Sequence, residues 1–205
     1  MIETGLQRHR IYIDESGFNL WTRRNYGRAR LGERVNRIVG GQRGRNVTVI
    51  AAISDLVGVV YHEVHTVAVT KEIFVHFIAS LSAILGEESA ILLMDNAPVH
   101  SSIQERFPNL SVKFLPPYSP FLNPIKNVFS VLKAYIKQYL HEEVGGCTPA
   151  RAAREGRTFQ QLREMVLLQG IDTALPQITQ NIVANKYSHV NTYLARCIEQ
   201  VDLVA

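Results

Sequence analysis

The run Ala90-Ile91-Leu92-Leu93-Met94-Asp95 constrains this chain more than any other stretch. A continuous apolar run closed by an acid is what a strand buried on both faces looks like, and such strands belong to parallel sheets covered by helices. An α/β architecture follows. Upstream, Arg10-Ile11-Tyr12-Ile13-Asp14 alternates in strand fashion and runs into Asp14-Glu15-Ser16-Gly17, a turn signal that sets Asp14 at a carboxyl strand end. Asn46 to Ser54 and Gly58 to Val64 read as two β-branched strands, joined as a hairpin through Asp55-Leu56-Val57-Gly58. A first helix begins at Thr70, with Ile73, Phe74, Phe77, Ile78, Leu81, Ile84 and Leu85 on one face and Gly86 as its stop. Val112 to Leu115 is a further strand.

A stiff loop follows, Leu115-Pro116-Pro117-Tyr118-Ser119-Pro120, in which each residue before a proline is pushed towards extended conformations. It feeds a helix with Asn123 as N-cap and Pro124 at the first helical position. Ile125, Val128, Phe129, Leu132, Ile136, Tyr139 and Leu140 share one face of that helix, and Lys126, Lys133 and Lys137 point away from it. Gly145-Gly146 breaks it, Cys147 to Arg157 reads as a linker, and Thr158 caps a segment carrying Phe159, Leu162, Val166 and Leu167. A last helix is expected over about Pro176 to Val201, with an interruption near Asn185 to His189.

At 205 residues and 46% hydrophobic content the chain is sized for one globular domain. It has no run of about 18 apolar residues and no signal-peptide start, so the chain is expected to be neither membrane-spanning nor evidently secreted. Cys147 and Cys197 form no metal-ligand spacing and are expected as thiols in a reducing compartment, a single disulfide being the alternative. Net charge is only +4, but Arg23, Arg24, Arg28, Arg30, Arg34, Arg37, Arg43 and Arg45 face one acid, Glu33, between residues 22 and 46, which leaves the rest of the chain at −3. Eight guanidinium forks and no lysine in a glycine-broken stretch favour phosphate contacts over a merely solvated loop, so nucleic acid is the expected partner.

Asp14 and Asp95 end two separate strands, at the edge where open α/β sheets place their chemistry. Paired carboxylates there suit Mg²⁺ or Mn²⁺, although from pattern alone such residues are as often turn caps. His62-Glu63-Val64-His65 looks like a metal signature, but strand alternation puts the two histidines on opposite sides. His100 reads equally as a substrate contact or as the cap of a following segment.

Asp14-Glu15-Ser16-Gly17-Phe18, the block Leu93-Met94-Asp95-Asn96-Ala97-Pro98-Val99-His100, and Leu115-Pro116-Pro117-Tyr118-Ser119-Pro120-Phe121-Leu122-Asn123-Pro124-Ile125 together resemble the catalytic domain of mariner-type DDE transposases and their insertion-sequence relatives. The resemblance runs in order from about Arg10 to Val201. It implies an RNase H-like fold, a mixed sheet flanked by helices, and three carboxylates that hold two Mg²⁺ or Mn²⁺ ions for attack on a phosphodiester. Asp14 and Asp95 match the first two carboxylates. At the third position, 31 residues beyond Asp95, stands Lys126.

An ammonium ligates no metal, and at the third helical position after an Asn cap it also opposes the helix macrodipole. Near Asp14 and Asp95 it would occupy the metal's place electrostatically; the bland alternative is a lysine pointing to solvent. Glu15 would face the other side if the strand continues, and Glu142 and Glu143 lie too far along the helix to substitute. The expectation is thus a transposase-derived domain that binds DNA with impaired catalysis. An active Mg²⁺-dependent nuclease using two carboxylates and a repurposed binding domain are the alternatives. The resemblance further implies an intracellular location at the genome and a dimer contact through the arginine arm at about 22–46. The caps and helical spacing after Thr158 make about 158–201 a C-terminal helical part. Only Met1 to His9 precede the first strand, so a helix-turn-helix region, and with it recognition of transposon ends, is expected to be absent.

Overall fold

The computed structural model describes residues 9–19, 31, 46–97, 100, 103, 107, 109–116, 119–143 and 146–198, with side chains to residue 193. Among the described residues five strands form one sheet: β1 (His9–Phe18), β2 (Val47–Ser54), β3 (Gly58–His65), β4 (Ala90–Met94) and β5 (Leu110–Phe114), in the order β3-β2-β1-β4-β5. β2 and β3 pair antiparallel as the expected hairpin, while β1, β4 and β5 run parallel, so the sheet is mixed. Gly58 closes the hairpin at φ +95°, a conformation that glycine adopts without the strain of a Cβ. A mixed sheet of this order is the kind of sheet that the sequence motifs imply.

The chain forms two compact units, one of residues 1–16, 48–131 and 178–205, the other of residues 17–47 and 132–177. In the first, α1 (Lys71–Leu85) lays Phe74, Phe77, Ile78 and Leu81 against Ile11, Ile13, Ile50, Leu92 and Met94. Thr70 caps its start and Gly86, at φ +61°, ends it. Ile84, expected on the buried face, is 54% exposed in the last turn. Alternation along β1 sends Ile11 and Ile13 to this core, and sends Tyr12 to the opposite side of the sheet. There its ring meets Tyr187 of α5 (Gln180–Ile198) edge-on at 5.2 Å. The Tyr187 hydroxyl donates to the carbonyl of Ile53, at 2.7 Å, and lies 3.2 Å from that of Arg10. The helix is continuous through residues 185–189, where an interruption was expected, because Val183, Tyr187 and Val190 keep helical spacing on its buried side.

In the second unit the later turns of α2 (Pro124–Glu143) bury Leu132, Ile136 and Leu140. The expected linker contains a helix, α3 (Pro149–Arg154): Thr148 caps it and Pro149 takes the first position, a start signal that outweighs its small-residue composition. α4 (Phe159–Ala174) opens with a reciprocal capping box between Thr158 and Gln161. Gly170 lies against Tyr139, so close that an added Cβ would stand 2.9 Å from the ring. Replacing a mid-helix glycine by alanine ordinarily gains about 1 kcal/mol. Here the ring must move, and we expect Gly170→Ala to lose about 1–2 kcal/mol in chemical denaturation; a gain would show that the ring yields freely.

Candidate acid site

β1 does not stop at Asp14. It continues to Phe18, so the turn preference of Asp-Glu-Ser-Gly does not end the strand. Asp14 therefore sits within a strand, and Asp95 directly after β4, as expected. Extending the Tyr12↔Leu93 register by two residues brings the two aspartates side by side on neighbouring parallel strands.

Asp14 is 4% exposed, and three donors meet its carboxylate. The Glu15 amide reaches Oδ1 at 2.9 Å, the Asn123 side-chain amide approaches Oδ2 at 3.4 Å, and the Lys126 ammonium sits 2.8 Å from Oδ2. α2 sets these last two. A 3-10 turn, Pro120–Leu122, intervenes between the proline loop and the helix, and Asn123 precedes Pro124 in an extended conformation. Asn123 holds the cap position through its carbonyl, which accepts from the Lys126 amide at 3.2 Å. Its side chain, in contrast to the capping role expected, turns to Asp14 and leaves Oδ1 buried without a hydrogen-bond partner. Lys126 does not point away into solvent: its side chain is 41% exposed and its amine is on Asp14.

Asp95 is held from the other side of the sheet. His100, 1% exposed and with its ring centroid 4.3 Å from that of Phe74, places Nδ1 2.9 Å from the Asp95 carbonyl and 3.1 Å from its Oδ1. Its Nε2 lies 3.1 Å from Glu15 Oε1. Glu15 thus faces away from Asp14, as alternation requires, yet is tied to Asp95 through His100. Sequence reading left His100 between two roles and missed this bridge; the detectable signal was a buried-type histidine five residues beyond a strand-end acid.

These contacts set the protonation. Burial pushes the Asp14 carboxyl up, and the Lys126 ammonium offsets part of that. Burial disfavours the Lys126 ammonium, but Asp14, Asp95 and Glu15 outweigh it and hold the amine above its usual value. The His100 hydrogen bond holds Asp95 below the usual carboxylate range. Burial also works against a charged His100, yet its bonds to Asp95 and Glu15 raise it to about 10. A cleft of about 410 Å³ adjoins the cluster, lined by Asp95, Asn96, Leu115, Pro116, Asn123 and Lys126 among others.

A pair of divalent ions does not fit these residues. An ammonium takes the Asp14 oxygen a cation would use, and among the described residues no group of three or more His, Cys, Asp or Glu is placed to hold a metal. Arg23, Arg24, Arg28, Arg30, Arg34, Arg37, Arg43 and Arg45 lie outside the described residues. Among the described residues no helix is long and apolar enough to cross a membrane.

Two neighbouring strand acids on a mixed sheet, met by the start of a later helix, define a nuclease fold of the DDE type. The model of the DDE superfamily endonuclease family matches residues 9–144, and the chain belongs to that family. Solved structures agree on the fold. The Mos1 strand transfer complex covers 93% of this chain and 54% of its own at 16% identity, with a TM-score of 0.60. The Mos1 mariner paired-end complex with Mn covers 93% and 58% at 15% identity, TM-score 0.53. Its counterpart with Mg covers 94% and 55% at 16% identity, TM-score 0.52. The chain spans about half the length of these proteins. No curated protein matches it.

Proposed function

We propose that this chain is a transposase-derived DNA-binding domain whose strand-cleavage chemistry is impaired, because Lys126 stands where the third acidic ligand would be. The carrying observation is the 2.8 Å contact between the Lys126 amine and Asp14, which replaces a metal ligand by a competing cation. Mg²⁺ or Mn²⁺ is the ion an active chain of this type would use at Asp14 and Asp95, in keeping with the Mos1 complexes with Mn and Mg. DNA binding is supported by those DNA-end complexes and by the arginine arm at about 22–46, which we assign to backbone phosphates and to a homodimer contact. We read residues 1–205 as one catalytic-type domain acting at the genome, with a helical part at about 158–201.

Nicking of supercoiled plasmid in Mg²⁺ or Mn²⁺ tests the impairment. The chain should leave plasmid intact and Lys126→Glu should gain divalent-dependent nicking. Nicking by the original chain that vanishes in Asp95→Ala would instead establish an active two-carboxylate enzyme. Duplex affinity should fall steeply with salt, since displaced counterions drive phosphate binding. Undetectable affinity at low salt would leave only the repurposed-domain alternative.

A further inference from the structure

We infer that Lys126 is the resident cation of the acid site: its ammonium holds Asp14 in place without a divalent ion and keeps one out, masking a latent divalent-cation site. This rests on the functional reading above but concerns binding rather than cleavage.

Three observations carry it. The amine is 2.8 Å from Asp14 Oδ2, the distance of a direct charged contact, on a carboxylate otherwise enclosed by the protein. A divalent ion at that oxygen and the ammonium would repel each other at close range, so the two exclude one another. Asn123 is 1% exposed, and its Oδ1 is buried with no hydrogen-bond partner beside the Asp14 carboxylate that its amide contacts. With Asp95 on the neighbouring strand, the site therefore holds uncharged and charged oxygens of the kind that Mg²⁺ and Mn²⁺ take once the amine is gone.

The test is Mn²⁺ binding to the full chain, read by the electron paramagnetic resonance of the free ion and by the shift of the thermal midpoint with added Mn²⁺. The original chain should bind weakly and its midpoint should stay put. Lys126→Glu, which supplies a carboxylate, should bind at least about tenfold tighter and gain midpoint with Mn²⁺, as mass action on the folded state requires. Lys126→Met, which removes the charge and keeps the length, should also bind tighter than the original chain. Asp14→Asn in the Lys126→Glu background should abolish the gain. Equal Mn²⁺ affinity of the original chain and both Lys126 variants, or a gain that survives Asp14→Asn, overturns the inference. A chain that binds Mn²⁺ as well as its variants but does not nick plasmid sinks this inference and leaves the functional reading standing; nicking by the original chain sinks the functional reading first.

Discussion

His100→Ala will lower stability by about 3–5 kcal/mol near pH 6, the loss expected when one partner of a buried charge cluster is removed. The ring is enclosed against Phe74 and holds the Asp95 carbonyl and carboxylate together with Glu15, so alanine leaves a cavity and two acids without their shared donor. The pH dependence separates the charge from the packing. His100 is raised from 6.5 to about 10 in the folded chain, so folding favours its protonated form. That contribution is fully present below the unfolded value and fades as pH rises through the folded one. The original chain should therefore lose stability between about pH 6.5 and 10, the variant should be flat there, and the gap between them should narrow. Urea unfolding at the two ends of this window reads it; a gap that stays constant would show that packing alone is at work.

Lys126→Met should cost about 2–4 kcal/mol at neutral pH, less than a fully enclosed pair because the lysine reaches solvent. Asp14→Asn should cost less, since the ammonium it strands is 41% exposed and can hydrate, whereas the carboxylate stranded by Lys126→Met cannot. Burial already raises Asp14, and without the ammonium it rises further. A carboxylate raised in the folded state favours the fold when protonated, so the Lys126→Met deficit should shrink as pH falls through the acid range. Equal costs for the two substitutions, or a deficit independent of pH, would show that the contact contributes nothing beyond solvated charge.

The parts of this fold visible in the sequence were those whose signal is local. Thr70 and Gly86 bracket α1, Pro124 starts α2, Thr158 caps α4, and the apolar run before Asp95 announced a parallel strand. Even so, Ile91 and Leu93 prove only half-buried, so β4 is less enclosed than its composition suggested. Asp14 was found, but its strand was cut short, because the four residues from Asp14 read as a turn until the sheet is assembled around them. Lys126 announced itself by being the wrong residue in a recognisable frame. Asn123, by contrast, looked like an ordinary cap, and nothing in its neighbours along the chain reveals that its amide reaches an aspartate 109 residues away. The His100 bridge was hidden for the same reason: its partner Glu15 is 85 residues distant.

Asp14 and Glu15 are consecutive, yet they open onto opposite sides of a covered sheet, which makes that sheet a partition between two ionic circuits. Lys126 contacts Asp14 in one and His100 contacts Glu15 in the other, and Asp95, at the open end of its strand, meets His100 and feels the charge of Lys126. A change of charge at the start of α2 is thus expected to reach Asp95, the same acid that His100 holds under α1.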